Sequence, residues 1–304
     1  MQSQTAGIIP TIQSLLGLRF YAKRIQFFNT ENVNTSQTGN SISRARGRGM
    51  DFEEVRHYQP GDDVRLIHWP LTARLGKPYT KIYREERERA IYFIVDQSPS
   101  MHFGTRVCFK NVLAANAMSL MGWAALEHYQ QVGGIIFTDE LSHIISPQRS
   151  RTSLLKFFNL LANPSENKNT NQKVYLNGIL KHLLKKVRSG SVVIIISDFM
   201  GFDHETTTWL KLLSRTNEVI HVFTYDPLER NLPNAGSYTF GDGNSQLTIN
   251  ADDKKQRQLY AQDFEQRLSV VKNFSKQCHL PFVSLATNDD LVKTINHGIM
   301  RYGY

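Results

Sequence analysis

The chain is poor in cysteine: among its 304 residues only Cys108 and Cys278 carry a thiol, and they stand far apart. That excludes a disulfide framework and a paired-cysteine metal centre, and the expected setting is a reducing compartment, read here as cytoplasmic. The sequence also lacks a Walker-type phosphate loop, a His-Glu-x-x-His helix and a Gly-x-Ser-x-Gly elbow. Any ATP hydrolysis in the system is therefore expected from another chain. Long apolar runs are missing too. The best stretch near the start, "AGIIPTIQSLLGLRFYAKR", is broken by Pro10, Gln13 and Ser14 and is too short to cross a bilayer. It has neither a basic leading region nor a small-residue cleavage site, so it reads poorly as a signal peptide. An amphipathic helix with Ile12, Leu15, Leu16 and Phe20 on one side is expected there, docked on the protein's own core in preference to a membrane surface.

What is present is a core-forming composition, 40% hydrophobic and 21% charged, with 36 Lys+Arg against 27 Asp+Glu and a net charge of +9. Much of the basic excess lies in the N-terminal third, so it describes a patch. Residues 30–49 read as a polar linker ending in the basic run "RARGR" (44–48). Residues 50–89 are dense in charge and aromatics without clean periodicity. After that, short apolar runs alternate with helical patterns. Strands are predicted at 90–96, 132–138, 141–147, 191–199, 218–227 and 281–287. Helices are predicted at 109–130, 153–162, 174–188, 204–216, 252–277 and 289–300. "SYTFGDGNSQLTIN" (237–250) reads as a hairpin. Alternating strands and helices imply an α/β fold whose mostly parallel sheet is covered on both faces.

The run "AIYFIVD" ends in Asp96, and "QSPS" follows it, placing Ser98 and Ser100 at alternate positions of a tight loop. In open parallel sheets ligands bind beyond the carboxyl ends of the strands. A second apolar run, "VVIIISDF", ends in Asp198. Two carboxylates and two hydroxyls on neighbouring strand ends would suit Mg²⁺ or Mn²⁺, which take oxygen ligands and retain water. The same residue types also cap helices and loops. The first loop alone leaves both readings open, and the second aspartate favours the metal.

"DQSPS" is the Asp-x-Ser-x-Ser signature of von Willebrand factor A-like domains, and "SDF" fits their later strand-end aspartate. The stretch before it is more specific. Arg56, Tyr58, Pro60, Gly61, Asp62, Asp63, Arg65, Ile67 and Trp69, followed by "TAR" (72–74), Lys81 and "REERER" (84–89), closely resemble the bacterial MoxR-associated von Willebrand factor A-like family, formerly a domain of unknown function. "YDPLERNLP" (225–233) and "LATNDDL" (285–291) resemble its later landmarks. The resemblance implies a von Willebrand A-type, Rossmann-like fold with a small β-hairpin insertion. It divides the chain into an N-terminal helix and linker (1–45), a charged signature segment packing on the sheet (46–89) and the A-like domain (90–304). It implies a metal-ion-dependent adhesion site of Asp96, Ser98, Ser100 and Asp198, and partnership with a MoxR-type AAA+ ATPase and a client protein. The family's usual threonine ligand aligns with Val174, with Thr170 nearby and Thr152 as a distant substitute.

The expected function is thus a non-enzymatic adaptor, its Mg²⁺ or Mn²⁺ held by the site alone or only with a partner's acidic group in place. Arg56, Asp62, Asp63, Arg65, Trp69 and Arg74 form a second, weaker candidate docking surface. The competing reading makes them a self-contained ion-pair network anchored by Tyr58 and Trp69. Two alternatives stand beside the adaptor. One is a metal-dependent phosphoryl-transfer enzyme using Asp96, for which Ser98 stands where an acid/base aspartate is wanted. The other is a basic nucleic-acid-binding protein relying on "RARGR", which lacks the aromatic interleaving of a single-strand platform.

Overall fold

A computed structural model describes residues 7–26, 50–85, 89–128, 130–163, 174–241 and 246–300. It divides into two compact units, residues 33–88 and the rest of the chain. Thr170, the "RARGR" run and the middle of "REERER" lie outside the described residues.

The first unit opens with two short helices, α1 (Ile12–Gly17) and α2 (Arg19–Ala22). The smaller unit follows in sequence. Its strands β1 (Met50–His57) and β2 (Tyr79–Glu85) pair antiparallel, with α3 (Trp69–Leu75) between them. Sequence periodicity misses these elements because turns and caps, rather than a buried face, organise them. In the turn Gln59–Asp62, Pro60 presets the second position and Gly61 takes φ 108, which an L side chain resists. Asp62 accepts from the Gln59 N–H and pairs with Arg56 at 2.7 Å. Asp63 caps a single 3₁₀ turn through the Arg65 N–H at 2.9 Å. Trp69 is 65% exposed. Arg65 and Arg74 are exposed as well.

The larger unit continues with β3 (Ala90–Asp96), α4 (Lys110–Glu127), β4 (Gln131–Phe137), β5 (Ser142–Gln148), α5 (Arg151–Ala162), α6 (Leu176–Leu184) and β6 (Val192–Ser197). Then come α7 (His204–Ser214), β7 (Glu218–Tyr225), α8 (Pro227–Arg230), the antiparallel pair β8 (Ser237–Gly241) and β9 (Gln246–Asn250), α9 (Lys254–Gln277), β10 (Phe282–Ala286) and α10 (Leu291–Met300). Six strands form one sheet in the order β10-β7-β6-β3-β4-β5, parallel except for β5. The chain therefore winds outward in one direction from β3, returns, and winds outward in the other from β6. The reversal lies between β3 and β6.

Strand alternation sorts the core. Ile91, Phe93 and Val95 of β3 pack with α4, α5 and α10, whereas Tyr92 and Ile94 pack with α6, α7 and α9. Helix α4 is apolar all round, which a helix tolerates only when covered on every side. Its outer face is covered by α1 and α2. Leu15, Ala22 and Ile25 are buried there, and the Leu15 carbonyl accepts from the Ser119 hydroxyl at 2.7 Å and the Trp123 ring N–H at 3.2 Å. The expected docking side is corrected in part. Leu15 docks, but Ile12, Leu16 and Phe20 are exposed, because the segment breaks at Leu18 into two short helices. Gly134 sits at φ 145 beside a bulge opposite β5, and a Cβ there would lie 1.9 Å from the Phe93 carbonyl oxygen.

Candidate functional site

At the carboxyl ends of β3 and β6 the backbone turns away into loops, and the side chains meet in the crevice where strand order reverses. Asp96 is the last residue of β3 and is buried. Its Oδ1 accepts from the Ser98 N–H at 2.8 Å and its Oδ2 from the Ser197 hydroxyl at 2.6 Å. The Ser98 and Ser100 hydroxyls lie 3.2 Å apart, brought together by a 3₁₀ turn over Pro99–Met101 whose Met101 is buried. Ser100 also helps to hold the Asp198 carboxyl below its ordinary value. The four residues expected to meet from sequence therefore share one cluster. Capping and convergence are both present: Asp96 closes its own loop and still faces the second aspartate.

The sequence reading missed Lys110. This first residue of α4 is 1% exposed, and its Nζ donates to Asp198 Oδ2 at 2.8 Å and Glu229 Oε1 at 2.9 Å. Glu229 is also approached by Arg267 at 3.5 Å, and its other oxygen accepts from the Asp226 N–H at 2.8 Å. Asp226, the residue after β7, is buried and accepts from the Thr105 hydroxyl at 2.6 Å, the Thr287 hydroxyl at 2.6 Å and the Thr105 and Leu228 N–H groups. A buried aspartate thus stands at the end of each of three adjacent strands: hydroxyls and amides serve Asp96 and Asp226, whereas Asp198 takes the Lys110 ammonium and the Met200 N–H.

The electrostatics separate the first two. Burial and the neighbouring Asp198 charge push Asp96 up to about 6, against which the Ser197 and Ser98 hydrogen bonds act. Burial also pushes Asp198 upward, but the Lys110 charge and hydrogen bond, helped by the Met200 N–H, hold it below the ordinary value. Burial alone would lower Lys110; Asp198 and Glu229 more than reverse this and keep the ammonium charged. Among the described residues Asp96 has no basic partner.

The loop after β6 carries strain. Phe199 has φ 52, a left-handed backbone that a bulky residue resists, and it is held there by burial against Phe202, His221 and Phe223. Its N–H donates to the Ser197 oxygen at 2.9 Å, so the same hydroxyl that serves Asp96 fixes this turn.

Among the described residues no three His, Cys, Asp or Glu side chains gather as a metal-binding group. A cation here would rest on two carboxylates and on hydroxyls. The donor chemistry fits one hydrated divalent ion: Asp96 is an unneutralised buried carboxylate, and the Ser98 and Ser100 oxygens converge beside it. Asp198 is already committed to Lys110. Val174 supplies no oxygen, since its side chain packs in the apolar cluster and its N–H donates to the Asp139 carbonyl at 2.7 Å. Thr152 is exposed in the first turn of α5. A separate cavity of about 320 Å³, lined by Tyr92, Ile135, Ile144, His182, Lys186 and Arg188 among others, lies near the amino ends of β3 and β4, away from this cluster.

Residues 54–269 match the family described as "Protein of unknown function DUF58". The chain belongs to the DUF58 family. Curated relatives include the uncharacterized proteins Rv1480 of Mycobacterium tuberculosis and Mb1516 of Mycobacterium bovis, each 26% identical over 84% of this chain and 81% of its own length. Among solved structures, the conserved hypothetical protein BatB of Bacteroides thetaiotaomicron is similar over 70% of this chain and 98% of its own, with TM-score 0.43 and 15% identity. An aerotolerance-related membrane protein of Bacteroides fragilis is similar over 70% and 100%, with TM-score 0.43 and 14% identity. The cytoplasmic expectation is corrected by this last description, which is of a membrane protein. For this DUF58 chain itself, no helix among the described residues is long and apolar enough to cross a membrane.

Proposed function

We propose that this DUF58 protein is a von Willebrand A-type interaction module whose strand-end site recognises an acidic group on a partner, working beside a MoxR-type AAA+ ATPase on a client protein. One observation carries the reading. The sheet reverses its winding between β3 and β6, and at that point Asp96, Ser98 and Ser100 converge with Asp198. A crevice of this kind is where open α/β sheets bind ligands.

Asp96, Ser98 and Ser100 would hold Mg²⁺ or Mn²⁺, with water completing the shell. Such an ion supplies an open coordination position for a carboxylate. Lys110 keeps Asp198 ionised and fixed, so the charge left for the ion to neutralise is that of Asp96. Pro99 and buried Met101 hold the two serine hydroxyls in place, and the Ser197 hydroxyl orients Asp96. The phosphoryl-transfer alternative is less well supported. Both Asp96 oxygens accept hydrogen bonds and the residue is buried, a poor arrangement for in-line attack.

The test is capture of a MoxR-type ATPase encoded by the same organism, with Mg²⁺ or with chelator, by wild type and by Asp96→Asn. The expected result is metal-dependent capture lost in the variant. Equal capture by both proteins in chelator would overturn the reading and move the interface to the surface of Arg56, Asp62, Asp63, Arg65, Trp69 and Arg74.

A further inference from the structure

The N-terminal segment buries one side and leaves a greasy one in water. Leu15, Ala22 and Ile25 are packed on α4, whereas Ile12, Leu16 and Phe20 follow one another at four-residue spacing on the open side of α1 and α2. Ile8 and Ile9 extend this side in the turn before α1, and Tyr21 adjoins it. Phe20 is 86% exposed, the most exposed large apolar side chain among the described residues. A soluble chain has no reason to concentrate so much exposed apolar surface in so few residues unless something covers it.

The charge around the stripe identifies the cover. Residues 7–26 contain no Asp or Glu, and Arg19, Lys23 and Arg24 flank the apolar residues. Helix α5, which packs on α1, presents exposed Arg151, Leu155 and Lys156 and carries no acid. Helix α10 meets the end of this segment through Asn296, which accepts from the Gln26 N–H at 3.0 Å and donates to the Arg24 carbonyl at 2.7 Å. It adds Lys293 and His297, and the neighbouring Asp290 lies 3.8 Å from Lys293. On α4 the acid is Glu127, at the far end of the helix. Apolar side chains ringed by cations are the pattern of a segment lying in the headgroup region of an anionic bilayer. A protein partner would more often supply a groove for an amphipathic helix of several turns, and these helices are six and four residues long.

We infer that Ile8, Ile9, Ile12, Leu16 and Phe20 form a peripheral membrane-docking surface for anionic phospholipid, held against the core by Leu15. The insertion is shallow and reversible, an attachment of the folded protein rather than a span. This surface is independent of the strand-end site.

The experiment is co-sedimentation of the full chain with vesicles of phosphatidylglycerol and phosphatidylethanolamine, compared with phosphatidylcholine alone. The wild type is expected to sediment with the anionic vesicles, to release in high salt, and to ignore phosphatidylcholine. The double variant Leu16→Ser/Phe20→Ser is expected to lose about tenfold or more in partitioning. Both positions are exposed, so circular dichroism of the variant should match the wild type. A wild type that stays in the supernatant, or a variant that sediments equally, overturns the inference. So does a wild-type dimer on size exclusion that the double variant dissolves without any vesicle binding, which would assign the stripe to a second copy of the chain.

Discussion

Replacing Asp96 by asparagine should make the metal-free protein more stable at neutral pH. The carboxyl titrates near 3.8 in an unfolded chain and is pushed up to about 6 in the folded one, first by burial and then by the Asp198 charge. Between these values the folded protein holds a proton that the unfolded chain has released. Wild-type stability from this group is therefore fully present below about 3.8 and is lost as pH rises through about 6. The difference of about two units corresponds to about 3 kcal/mol. Asparagine keeps an acceptor for the Ser98 N–H and cannot ionise, but it presents its NH₂ group to Ser197 and gives back roughly 1 kcal/mol of hydrogen bonding. Urea unfolding in chelator, followed by circular dichroism from pH 4 to pH 8, reads the two proteins side by side. Asp62, Asp203 and Asp226 are held below the usual range and contribute in the opposite sense, but equally in both proteins. The stability of Asp96→Asn minus that of wild type should climb by about 3 kcal/mol across the window and then level off. A flat difference would refute the reasoning, and so would a falling one.

Lys110→Met leaves Asp198 buried without its cation, while Glu229 keeps Arg267, and should cost about 3–5 kcal/mol at pH 7.5, read from the urea midpoint; a loss below about 1 kcal/mol would mean that water replaces the ammonium. Saturating Mg²⁺ should raise the wild-type midpoint at pH 7.5, by about 2.7 kcal/mol at a hundredfold excess over Kd, and should leave Ser98→Ala/Ser100→Ala unmoved. An equal rise in the double variant would remove the serines from the ion's shell. Leu15→Ala empties a fully buried position under α4 and should cost about 2–5 kcal/mol, whereas Phe20→Ala should change stability by less than about 0.5 kcal/mol. Similar losses from both would contradict the division of this segment into a buried side and an open one.

Much of the larger unit is legible because its strands are short, fully buried runs with abrupt polar ends. "AIYFIVD" and "VVIIIS" announce themselves by composition, and the residues just past them announce the crevice. The antiparallel direction of β5 was not legible, because its residues alternate in exposure as either direction would. In the smaller unit β1 and β2 were hidden by charge, since turn geometry at Gly61 and capping by Asp63 matter there more than a greasy face does. Lys110 was hidden for a different reason. A lysine at the start of a helix is ordinarily assigned to solvent, and only the folded arrangement brings Asp198 and Glu229 to it. The motif "YDPLERNLP" reads as a landmark, yet nothing in its spacing tells that Asp226 and Glu229 face the same end of the sheet as Asp96.

The buried ammonium also bears on the order in which the molecule assembles. Lys110 opens α4, where the helix dipole disfavours a cation, so the residue has no local reason to be charged and buried. Its two carboxylates come from positions 88 and 119 residues further along the chain. Neither pair can form until β3, β6 and β7 are side by side, and each must first offset a long loop closure. The triad is therefore expected to form after the folding transition state. Disrupting it should then accelerate unfolding and leave the folding rate almost unchanged, as stopped-flow kinetics of Lys110→Met would read. On that expectation the arrangement acts as a latch that engages late and lengthens the life of the folded molecule.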